Sequence, residues 1–170
     1  MGKVLIFDTS ILVVWLKVPG LEEQGPQHDR WDHDRVEKII NENEDSIYVL
    51  PLATIIETGN LICKSPKDQR QQFAQKLSEI IKLSCEGQSP WAIFSDQSSL
   101  WEPEHLLRLA DGWPALTRGK RCHSMGDATI KTVAEHYARM GFSVDIVTAD
   151  FGLKKFQPTS QTPPVPRRKS

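Results

Sequence analysis

Four carboxylates in this chain stand where a charge interrupts or ends an otherwise apolar segment. Asp8 closes the run "KVLIF", Glu57 interrupts "LATIIETGNLI", Asp127 opens "DATIKTVAEHY", and Asp150 closes "DIVTA". Carboxylates gathered in one cleft repel unless protons or cations sit among them. A set of hard oxygen ligands without Cys or His points to Mg2+ or Mn2+, with waters completing an octahedron. Such an ion lowers the pKa of a bound water, orients it in line with a phosphodiester and offsets charge on the leaving oxygen. Each acid also has a plainer reading. Asp8 and Asp150 suit helix caps or turns, Asp127 completes an S-x-x-D capping box with Ser124, and Glu57 can snorkel or pair with a lysine.

Other groupings carry less chemistry. Cys63, Cys85 and Cys122 are scattered and odd in number, so they encode neither a disulfide framework nor a CxxC zinc site. They read as reduced thiols, mostly filling the core. His28 and His33 alternate with aspartates in "QHDRWDHDR", but their spacing fits no zinc motif, and a flexible polar loop is the expectation. "DFG" at Asp150–Gly152 occurs in protein kinases, yet a Gly-rich loop and an HRD-like segment are both missing from the sequence. A haloacid dehalogenase-type phosphatase needs D-x-D after its first strand, and here Ser10 takes the place of the second aspartate.

The elements that must position the four acids follow from apolar patterning. "KVLIF" reads as a strand buried on both faces, ending at Asp8, with a helix "SILVVWL" beginning just after it. Residues 19–35 read as a loop leading to a helix at "DRVEKIINEN", and "SIYVL" as a second strand. A helix then starts near Pro51, the residue type suited to a first turn. Phe73, Leu77, Ile80 and Ile81 share one face of a longer helix. "WAIF" reads as a third strand, and "EPEHLLRLADGW" as a short helix stopped by Gly112 and Pro114. Ile130, Val133, Ala134 and Tyr137 mark the buried face of the helix opened by Asp127, and "FSVDIVTAD" is another apolar strand. Alternating strands and helices imply an α/β domain with a mainly parallel sheet, whose ligand sites collect at the carboxyl ends of the strands.

In order, "LIFDTSILV", "PLATIIETGNL" and "MGDATIKTVAEHYARMGFSVDIVTADFGLKKF" resemble the motifs of the PIN-domain ribonucleases, a family that includes the toxin half of many bacterial toxin–antitoxin pairs. The resemblance spans roughly residues 3–156. It implies a three-layer α/β/α fold with a central, mainly parallel sheet, and metal-dependent hydrolysis of RNA. It makes Asp8 and Asp150 direct metal ligands, and Glu57 and Asp127 ligands of a second ion or of metal-bound water. Thr9, Ser10 and Thr148 become residues that orient the ligands. It further implies a possible homodimer and a possible antitoxin partner that lays a basic side chain across the acidic cleft. The segment 22–45 and the Trp-rich stretch 91–113 match no motif of that family. Two alternatives stay open: a PIN-like module that only binds or scaffolds, and a metal-dependent nuclease acting on DNA.

Substrate grip is sought among basic residues. Arg118, Lys120 and Arg121 precede the Asp127 helix, and Lys154 and Lys155 follow Asp150; they either reach phosphates or form a solvated basic surface. Trp31 and Trp101 either stack on unpaired bases or are buried. The net charge of −1 argues against a strongly cationic nucleic-acid coat. The length of 170 residues fits one domain, here 1–156, followed by a Pro-rich basic tail 157–170 ending in Arg167–Lys169. The longest apolar stretch, residues 4–16, is short of the roughly 20 residues of a membrane span and contains Asp8. No signal-peptide pattern stands at the start, and a cytoplasmic protein without membrane contact is the expectation.

Overall fold

A computed structural model describes residues 2–159; the basic Arg167–Lys169 and nearly all of the expected tail lie outside them. The run "KVLIF" forms β1 (Lys3–Phe7), in which Val4 to Phe7 have no solvent exposure. That burial fits a central strand covered on both faces. It pairs in parallel with β2 (Ile47–Val49) on one side and with β3 (Ser143–Val147) on the other, giving the order β2-β1-β3. Val4 lies opposite both Ile47 and Val144, and Phe7 opposite Val147. All three strands therefore end at the same edge.

Successive side chains of a strand point to opposite faces, and two apolar clusters divide the β1 residues accordingly. Leu5 and Phe7 pack with α1 (Thr9–Leu16), α2 (His33–Asn41), α3 (Leu52–Ile62) and α4 (Arg70–Glu86). Val4 and Ile6 pack with α6 (Met125–Arg139), the four-residue α7 (Phe151–Lys154) and a 3-10 segment, Phe94–Trp101. Helices thus cover both faces of a small three-stranded parallel sheet, an α/β arrangement compatible with three layers. Among the described residues, no helix is long and apolar enough to cross a membrane.

Several expectations need correction. "WAIF" is not a strand: Trp91 makes one isolated parallel bridge to Tyr48, and the chain then turns into the 3-10 segment at Phe94. Trp91 is instead a core residue, stacked on Trp15 and edge-on to Tyr48. α5 (Pro103–Leu116) is not stopped by Gly112 or Pro114 but runs through both. His105, Leu109, Trp113 and Leu116, spaced along one face, line a hollow shared with α6, and that packing outweighs the backbone hydrogen bond a mid-helix proline forfeits. All three cysteines are exposed rather than core-filling. Cys85, for example, follows the buried Ser84 on α4 and so turns outward. Trp31 is buried at 7% exposure, which removes it as a base-stacking residue, and Trp101 is largely covered, with its indole nitrogen buried.

Candidate active site

Parallel topology explains why the four acids meet. Asp8 follows β1 directly and extends its ladder, its N–H donating to the Val147 carbonyl at 3.1 Å. Asp150 lies just past β3, at the same edge. α3 starts from this edge after β2, and α6, which leads back into β3, must also begin there. Asp8, Glu57, Asp127 and Asp150 accordingly line a single open cleft of about 560 Å³.

Asp8 forms the floor, with only 7% of its surface exposed. Its Oδ2 accepts hydrogen bonds from the Ser10 hydroxyl at 2.6 Å and the Thr148 hydroxyl at 2.8 Å. The same two hydroxyls accept from the backbone N–H groups of Ala149 and Asp150, at 3.0 and 2.9 Å. One small network therefore locks the end of β1 to the end of β3. The backbone N–H groups of Thr9 and Ser10 also bond the Asp8 carboxyl, that of Ser10 reaching Oδ2 at 3.4 Å. Burial pushes the Asp8 carboxyl above its ordinary value, and the bonds from Ser10, Thr148 and the backbone only partly oppose this.

Glu57 projects from α3 toward the same floor. The Thr9 hydroxyl donates to its Oε2 at 2.9 Å, so each of the three hydroxyl residues named from sequence touches a candidate acid. Burial raises the Glu57 carboxyl, the Thr9 bond lowers it, and repulsion from Asp8 and Asp127 raises it further. Its Oε1 occupies space that only a glycine leaves free: a Cβ at Gly126 would lie 2.1 Å away. Glu57 is the flexible end of a side chain, and alanine is favoured over glycine in a helix. Gly126→Ala is therefore expected to fold with stability within about 1 kcal/mol of wild type in a urea titration, while pushing Glu57 off Thr9. The same titration with Mn2+ added would then show a smaller gain for the variant than for wild type.

Asp127 and Asp150 carry out the capping duties their positions suggested. Ser124 and Asp127 form a complete capping box, with the Asp127 N–H to Ser124 Oγ at 3.0 Å and the Ser124 N–H to Asp127 Oδ2 at 2.8 Å. Trp113 steadies this start by donating its indole N–H to the His123 carbonyl at 3.1 Å. Asp150 caps α7, with Oδ1 accepting from the N–H groups of Gly152 and Leu153 at 2.6 and 3.1 Å. Its Oδ2 is held by Arg121 at 2.5 Å. Because these carboxylates turn toward backbone and arginine, no three Asp, Glu, His or Cys side chains among the described residues form a ready metal-holding group. The donor set nonetheless suits a hard divalent ion: every acid is an oxygen ligand, and Glu57 is crowded by two like charges.

The basic residues divide. Arg121 lines the cleft, whereas Arg118 and Lys120 do not. Lys154 turns back to the sheet, bonded to the Asp145 carboxylate and the Ile146 carbonyl. Lys155 sits over the ring of the exposed Phe151, 4.9 Å from its centre. One wall was not foreseen. Gln24 and Trp31 form an antiparallel bridge that fixes the segment between them, so Gly25, His28 and Asp29 face the acids. Gly25, at φ +87°, is needed there because a Cβ would lie 2.6 Å from the Asp29 carbonyl oxygen. That glycine, beside a tryptophan too large to leave exposed, was the available signal. His33 lies elsewhere, paired with Glu37 on α2 at 3.6 Å. Comparison with protein-family models, curated proteins and solved structures finds no significant match to the chain.

Proposed function

We propose that the protein is a PIN-like nuclease that hydrolyses RNA phosphodiester bonds with the help of Mg2+ or Mn2+. The observation that carries this reading is Asp8, a carboxylate buried at the floor of a cleft and held by hydroxyls and backbone N–H groups without a cationic partner among the described residues, with Glu57 crowded beside it. A helix cap does its work at the surface; burying one without a cationic partner costs stability that a cap does not require. The order of the acids supports the family layout: one after the first strand, one on the helix after the second, one at the start of the helix leading to the third, and one after the third.

In this reading Asp8 and Asp150 hold one ion, and Glu57 and Asp127 a second or its waters. The ion supplies an activated water and offsets charge on the leaving oxygen. The protein's own groups prepare the place. Ser10 and Thr148 fix the Asp8 carboxylate through Oδ2, and Thr9 does the same for Glu57 through Oε2. Replacing such orienting partners typically costs 10- to 100-fold in metal affinity or activity. An antitoxin inserting a basic residue among the acids, and a homodimer, belong to the same proposal.

The alternative, a binding or scaffolding module, draws on the capping roles of Asp127 and Asp150 and on Arg121 already paired in the cleft. Labelled single-stranded RNA and DNA, incubated with the purified protein in Mg2+, Mn2+ or EDTA, separate the readings. The expected result is metal-dependent cleavage of RNA. Cleavage of DNA alone would move the substrate assignment, and binding without cleavage in any metal would favour the scaffold.

A further inference from the structure

We infer that Arg121 is a phosphate-binding residue parked in the cleft, where it holds the one Asp150 oxygen that a cation would need and leaves it for the substrate once the cation arrives. This rests on the nuclease reading. Asp150 has two oxygens with separate fates: Oδ1 is committed to the N–H groups of Gly152 and Leu153, so Oδ2 alone is left to face the cleft, and Arg121 holds it.

The seat is shaped for this arginine. A Cβ at Gly152 would lie 2.9 Å from both Cδ and Nε of Arg121 and 3.0 Å from Cε1 of His123, so the arginine crosses α7 beside that ring where only glycine gives both room. The arginine comes from the irregular segment between α5 and α6, not from a rigid element. More than half of its side-chain surface is exposed, and an exposed ion pair is weak and readily displaced. A divalent cation competing for Oδ2 would expel the guanidinium. The nearest use for its planar fork of donors would then be the phosphate of the incoming strand, which it can grip through two bonds.

Two variants separate the parking role from the phosphate role. In Arg121→Ala, Mg2+ and Mn2+ binding followed by thermal shift is expected to tighten, by up to about fivefold given the weakness of exposed pairs. Binding of a labelled single-stranded RNA in Ca2+, followed by anisotropy, is expected to weaken, with the slope of log affinity against log salt reduced by about 0.7 for one lost phosphate contact. In Gly152→Ala, which dislodges the arginine without removing it and presses also on the His123 ring, cation binding is expected to tighten while RNA affinity is kept, and His123→Ala alone is expected to reproduce neither change. Wild type that shows no response to either cation would overturn the nuclease reading itself. A wild-type response matched by Arg121→Ala in both assays overturns only the role given to Arg121, as does a variant that binds the cations more weakly. Tighter cation binding with unchanged RNA affinity overturns the phosphate role.

Discussion

Asp8→Asn is expected to do two opposite things: abolish metal-dependent cleavage and stabilise the cation-free protein at neutral pH. The amide keeps an acceptor for the Ser10 and Thr148 hydroxyls but supplies no charge for an ion. The loss of activity should exceed the 10- to 100-fold that follows removal of a partner orienting a ligand. The stability effect follows from the direction of the Asp8 shift. Burial raises its folded pKa above the ordinary 3.8, so between the two values the folded state binds more protons than the unfolded one. The Asp8 contribution to stability is then fully present below 3.8 and is lost as pH rises through the raised folded pKa. Urea titrations in EDTA across this range should show that fall in wild type and a shallower one in the variant. Glu57, raised in the same direction from 4.5, supplies the remaining slope. Adding Mn2+ should restore wild type and leave Asp8→Asn unchanged. A variant less stable than wild type in EDTA at neutral pH would show that the charge serves the fold rather than an ion.

Phe7→Ala is expected to have the largest effect on the fold. Phe7 is fully buried and its ring meets three aromatic neighbours, stacked on Trp15 at 5.4 Å, edge-on to Tyr48 at 5.4 Å and tilted against Trp91 at 5.9 Å. Truncating a buried phenylalanine typically costs about 3–5 kcal/mol. For a chain of this size that lowers the melting temperature by roughly 6–20 °C, and the urea midpoint should fall with little change in slope. Because Phe7 precedes Asp8 on the central strand, thermal titration with Mn2+ should also show weaker cation stabilisation. A loss below about 1 kcal/mol would mean that the neighbouring rings close over the gap.

What could be read from residue order alone was what depends on short-range pattern. "KVLIF" and "FSVDIV" are apolar runs ended by polar residues, and both are strands. Ser124 and Asp127 announced a capping box that forms as expected. Legibility failed where a contact distant in sequence decides the outcome. Gly112 and Pro114 look like a helix stop, but Trp113 and Leu116 face α6 and the helix continues. "WAIF" has strand-like composition, but beyond Trp91 it has no partner strand. The segment 24–31 looks like free loop because a single bridge leaves no periodic trace, yet it walls the cleft. For the site, the acids stood out by interrupting or ending apolar segments, and the hydroxyls that touch them were named only through the family resemblance. They did not say which basic residue would enter, since that depends on the path of the α5–α6 connection.

Three of the four candidate acids also stand at helix starts: Asp8 and Asp150 as the N-caps of α1 and α7, and Asp127 as the third residue of α6, completing the box with its N-cap Ser124. Removing the Asp150 cap, or Asp127's half of the capping box, would cost about 1 kcal/mol of stability whatever chemistry the cleft performs, whereas at Asp8 an asparagine would cap equally well without a buried charge. Glu57 has no such second employment, because it lies inside α3 and serves no helix end. In the nuclease proposal, Glu57 is therefore the acid whose presence the fold explains least.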